Sequence, residues 1–162
     1  MKNTLYFICP TDGLETVINA AFPSQNYFYT SLGNSIVFDQ EMLRQTKRLI
    51  HKREISNITF VLSAGNRIVL DALNGRDYLD VMGLDYFYFQ INQQQEKTKL
   101  SWQTPTSSFL LFSYYLNDKI KELQAGLPEI SLKISGKIYD QHQGIFKEIY
   151  PDLVCMDYVN FN

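Results

Sequence analysis

The chain has 162 residues, with 15 Lys and Arg against 17 Asp and Glu, for a net charge of −2. That length suits one domain with a sizeable buried core, and the balance of charge gives no electrostatic basis for nucleic acid or an anionic membrane as a partner. The apolar run in "MKNTLYFICP" is too short for a signal peptide and no stretch approaches a membrane span. The expectation is therefore a cytoplasmic protein whose two cysteines, Cys9 and Cys155, stay free in a reducing setting.

Strand and helix signals alternate through the first half. "TLYFIC" (4–9) is a short apolar run rich in strand formers and closed by Pro10 and Gly13, which predicts a buried strand. "LETVINAAF" (14–22) predicts a short helix ended by Pro23, and "NYFYTS" (26–31) a second strand closed by "LGN". Asp39 reads as the N-cap of a helix through Arg53, whose Met42, Leu43, Thr46, Leu49 and Ile50 keep the helical period. "NITFVLS" (57–63) predicts a third strand, and "AGN" turns it into a helix over 67–73. Such a βαβαβα order implies a single α/β domain, spanning 1–162, with a mainly parallel central sheet flanked by helices.

The middle, 76–103, is ambiguous: "LDYFYFQI" satisfies either a strand by alternation or an aromatic-rich helix, and "QINQQQEK" reads as a polar loop or a helix end. From Pro105 a long helix runs to Gly126, with an apolar stripe at Phe109, Phe112, Leu116, Ile120 and Leu123. "ISLKISGKIYD" alternates with period two, and "QHQG" leads into "IFKEIY", which predicts a strand, a turn and a return strand. The apolar tail "PDLVCMDYVNFN" suits docking, on another subunit for example. Aromatics make up 14% of the chain, a load that a large core or a subunit interface absorbs.

Ligands of open α/β sheets bind beyond the carboxyl ends of the strands. Three loops qualify, "CPTDG", "TSLGN" and "SAGN", and their order resembles the β-class carbonic anhydrases. In that family the first strand runs into Cys-x-Asp-x-Arg, the second into Arg-Asn-Ala-Gly-Asn and the third into Gly-His-x-x-Cys-Gly. Cys9 falls on the first zinc cysteine, and Gly33 and Asn34 keep the end of the second motif. Gly136, Tyr139, Asp140 and Gly144 match the family's closing pair of strands. The resemblance implies a homodimer and would imply zinc as cofactor.

The departures fall on the zinc ligands. Ser63 stands where the resemblance places the His and Asn66 where it places the second Cys, while strict spacing puts Thr11 on the Asp position. Asp12 stands in only with a slip of one residue. A hydroxyl and a carboxamide are not normal zinc ligands, so neither zinc nor another cofactor is expected, and no residue is assigned as catalytic. What remains is a candidate cleft of Cys9, Thr11, Asp12, Gly33, Asn34, Ser63, Asn66 and Arg67. Each member also has an ordinary structural use: Cys9 as a small buried hydrophobe, Asp12 and Asn66 as turn and cap residues, Arg67 as a solvent-facing cation.

Three functions follow. The first is a zinc-free binding or structural homodimer whose cleft holds a small anion through Arg67 and helix N–H groups. The second is a metal-free enzyme using Cys9 or Ser63, for which no base is visible. The third is a carbonic anhydrase with an unorthodox metal site. The cluster Arg44, Lys47, Arg48, Lys52 and Arg53 around His51 reads as a solvated helix face that complements the helix dipole.

Overall fold

The computed structural model describes residues 2–74, 80–98 and 105–150. The tail with Cys155, and the parts of the ambiguous middle at 76–79 and 99–103, lie outside these. In chain order the elements are β1 (Asn3–Ile8), α1 (Glu15–Ala21), β2 (Asn26–Thr30), α2 (Gln40–Arg53), β3 (Ile55–Ser63), α3 (Arg67–Leu73), α4 (Asp85–Thr98), α5 (Pro105–Gly126), β4 (Lys133–Asp140) and β5 (Ile145–Glu148). Short 3-10 turns, Pro10–Asp12 and Leu32–Asn34, follow β1 and β2. The five strands form one sheet in the order β2-β1-β3-β4-β5, parallel throughout except for the antiparallel β4–β5 hairpin.

This is the α/β domain with a mainly parallel sheet that the alternation predicts. Parallel strands need both faces covered, and β1 shows it. Leu5 and Phe7 point into a large core with Ile58, Phe60 and Leu62 of β3 and with helices α2 to α5. Tyr6 and Ile8 point into a smaller core with Leu14, Ile18 and Val61 on the α1 side. The chain goes from β1 to β2 on one side, then crosses back to β3 on the other. With right-handed crossovers this reversal puts α1 and α2 on opposite faces. It also leaves a crevice between the carboxyl ends of β1 and β3, where connections diverge.

Two ambiguities resolve. "LDYFYFQI" is helical: it lies at the start of α4, with Leu84, Phe87, Tyr88 and Ile91 buried at helical spacing. "QINQQQEK" continues α4 instead of forming a loop. The aromatic run divides, since Phe87 and Tyr88 are buried while Tyr86 and Phe89 stack on each other at the surface. Among the described residues no helix is long and apolar enough to cross a membrane.

Candidate functional site

The site is built by the loops that leave β1, β2 and β3 at the carboxyl ends of these strands. After β1, Pro10 opens a single 3-10 turn and Gly13, at φ +59°, ends it in the left-handed region. The turn leaves Thr11 exposed and swings the half-buried Asp12 toward the end of β3. There Asp12 Oδ2 accepts from the Ser63 backbone N–H at 2.8 Å and Oδ1 accepts from the Asn66 carboxamide at 2.9 Å. Asn66 is fully buried, and its Oδ1 accepts from Val69 N–H at 2.9 Å as the N-cap of α3. Ser63 Oγ accepts from Gly65 N–H at 3.3 Å. Burial raises the Asp12 pKa above the ordinary carboxylate value, partly opposed by the two hydrogen bonds it accepts.

Cys9 has no exposed surface. Its sulfur accepts from Gly33 N–H at 3.1 Å and lies 3.0 Å from Thr11 Oγ1. Gly33 and Asn34 both hold positive φ, +60° and +55°. A methyl at Gly33 would come within 2.9 Å of Phe87 Cζ and 3.1 Å of Ile68 Cγ2, so this turn is pressed against α3 and α4. The Asn34 side chain is completely buried and donates to Val61 O at 2.9 Å, while its Oδ1 has no partner among the described residues.

Tyr115 of α5 also belongs here, although the sequence reading passes over it. Its buried phenol lies 2.8 Å from Gly33 O and 2.9 Å from Asn34 O, sharing its one proton between them. Burial, with lesser effects of Glu122 and Cys9, pushes that phenol well above the ordinary tyrosine value. Four residues further on, Lys119 is likewise fully buried and donates to Ile36 O at 3.0 Å. Tyr115 falls within the apolar stripe of α5, so only the structure distinguishes it.

The structure thus brings together Cys9, Thr11, Gly33 and Asn34 in one group and Asp12, Ser63 and Asn66 in another. Arg67 is exposed at the start of α3. A cavity of about 630 Å³ lies on the far side of the β3 loop, against Ala64, Gly65, Phe109, Phe112, His142 and Tyr150, between α5 and the β4–β5 turn.

No protein-family model matches this sequence, and no curated protein matches it. Solved structures do. The chain superposes on a mutant of the β-carbonic anhydrase CafD of the filamentous fungus Aspergillus fumigatus with a TM-score of 0.73 at 17% identity, covering 93% of this chain and 90% of that one. CafA, a β-carbonic anhydrase of the same fungus, gives 0.69 at 18% identity over 91% and 74%. The Coccomyxa β-carbonic anhydrase gives 0.68 at 14% over 91% and 72%. The fold is that of the β-carbonic anhydrases.

A catalytic zinc takes three protein ligands from thiolate, imidazole or carboxylate and keeps one position for water. Next to the Cys9 sulfur are only a hydroxyl and a backbone N–H, and the neighbouring group offers the Ser63 hydroxyl, the Asn66 carboxamide and the Asp12 carboxylate with both oxygens already engaged. His51 sits in the last turn of α2, which leads into the amino end of β3, and His142 lines the cavity between α5 and the β4–β5 turn. Among the described residues no group of three or more His, Cys, Asp or Glu is placed to hold a metal ion. This donor set does not fit zinc.

Proposed function

We propose that this chain is a zinc-free, non-catalytic relative of the β-carbonic anhydrases, acting as a binding or structural homodimer. The observation that carries the reading is the double hydrogen bond on Asp12. Its carboxylate is spent joining the β1 loop to the β3 loop, where it serves as acceptor for the Ser63 N–H and the Asn66 amide. The cleft is then closed by its own polar groups. Its built-in anion occupies the donors that an external anion would use.

The metal-free enzyme has less support. Cys9 and Ser63 are both buried, and neither side chain is hydrogen-bonded to a histidine or carboxylate that would act as base. For the homodimer, the support is exposed apolar surface: Val37, Met82, Tyr86 and Phe89 all lie open. The Lys119 ammonium that binds Ile36 O also lies 5.9 Å from the Tyr86 ring, so the segment before Val37 and the start of α4 share one place.

Elemental analysis of the purified chain tests the central claim. We expect less than about a tenth of a zinc per chain, given the donor count, and no acceleration of CO₂ hydration at neutral pH above buffer. Stoichiometric zinc or a zinc-dependent hydration rate overturns the reading.

A further inference from the structure

Helix α2 carries five Lys and Arg and one Glu in its fourteen residues, a net charge of +4. The whole chain stands at −2, so everything outside α2 sums to −6. A concave space of about 380 Å³ runs along this helix, lined by Gln40, Leu43, Arg44, Lys47, Arg48 and His51, with Gly126 at the end of α5 opposite. Its floor is tight, since a methyl at Gly126 would come within 2.3 Å of Leu43 Cδ2. Arg44, Lys47, Arg48 and His51 sit at i, i+3, i+4 and i+7, so they form one stripe along the groove wall.

The helix dipole does not account for this stripe. Its influence is confined to the last turn, where His51, Lys52 and Arg53 lie; Arg44, Lys47 and Arg48 come earlier. Arg44 pairs with Glu41, but Lys47, Arg48 and His51 have no side-chain hydrogen bond or ion pair with any described residue. Like charges at i and i+4 are also mutually destabilising, and Arg44–Arg48 and Arg48–Lys52 are two such pairs. The fold therefore holds unpaired cations close together in a concavity, on a molecule that is otherwise acidic.

We propose that this groove binds a small, multiply charged phosphate-bearing molecule. Arg48 presents a planar donor fork that matches phosphate oxygens, Lys47 supplies a compact charge beside it, and Arg44 adds the donors that its pairing with Glu41 leaves over. A long polyanion is disfavoured, because the −6 spread over the remaining surface would repel whatever extends beyond the groove. The site is distinct from the cleft around Cys9 and does not depend on how that cleft is read.

The test is titration calorimetry of the full chain with inorganic pyrophosphate, and in parallel with inorganic phosphate and sulfate, at 0.15 M salt. We expect saturable one-to-one binding of pyrophosphate, at least ten-fold tighter than of phosphate or sulfate. A Lys47→Gln, Arg48→Gln double variant should weaken it at least ten-fold with an unchanged far-UV spectrum, while Lys133→Gln, on β4, should not. Absence of saturable pyrophosphate binding overturns the proposal. So does binding that the double variant leaves intact, or that phosphate and sulfate match.

Discussion

Asp12 and Cys9 show how much the role of one residue depends on its hydrogen bonds. Removing the Asp12 carboxylate orphans the Ser63 N–H and the Asn66 amide, each inside the fold. We expect Asp12→Ala to cost about 1–3 kcal/mol in urea denaturation at pH 7. The titration adds a sign. The folded pKa of Asp12 is raised, so the folded state favours its protonated form. That stabilisation is complete below the unfolded value of about 3.9 and is lost as pH rises through the folded one. Relative to an Asp12→Asn variant, which does not titrate there, the native chain should gain stability as pH falls across that window. Cys9, with its sulfur buried and accepting from Gly33 N–H, should resist a thiol reagent. In a Cys155→Ser variant, so that Cys9 alone reports, we expect modification only after denaturant is added; rapid labelling of the native protein would restore Cys9 as a candidate nucleophile.

Elements explain which parts were readable in advance. β1 and β3 are largely buried apolar runs and β2 is a half-buried aromatic edge strand; all three are closed by Pro, Gly or Asn, and local composition suffices to find them. The beginning of α4 hides its period: the buried set Leu84, Phe87, Tyr88 and Ile91 is helical, but the exposed positions Tyr86 and Phe89 are aromatic too. A segment apolar on every side shows no amphipathic contrast. The site divides similarly. Cys9, Gly33, Asn34, Ser63 and Asn66 are legible as residues of the strand-end loops, yet the bond from Asp12 to Ser63 spans 51 positions and depends on the 3-10 turn aiming the carboxylate. Nor does anything in the α5 sequence mark Tyr115 as the phenol bound to the Leu32–Asn34 turn. That turn is the most demanding local structure in the site. At Gly33 a side chain meets both a left-handed φ and the Phe87 ring, so Gly33→Ala should cost about 2–4 kcal/mol by denaturant titration. A loss under about 1 kcal/mol would mean that α4 yields easily there.

At the scale of the whole molecule, a carbonic anhydrase fold is combined with a donor set unlike a zinc site. The two tests of that scale concern metal and assembly. Zinc content follows from the donors, as set out above. The proposed homodimer is tested at the open apolar side chains. If Tyr86 and Phe89 lie in a subunit contact, replacing both by Asp should turn a dimer into a monomer in sedimentation velocity while leaving the far-UV spectrum intact. A native chain that sediments as a monomer would remove the homodimer from the reading.

The sheet order has a further consequence, for the chain as it is made. β1 is synthesised first, yet it needs β2 on one side and β3 on the other, and β3 is complete only at Ser63. At about 5–20 residues per second, some seconds pass during which "LYFI" has emerged without its second neighbour. Its aromatic, charge-free strand is then an open template for pairing with other nascent chains. Early release of the chain, before β3 is made, would leave a fragment prone to aggregate.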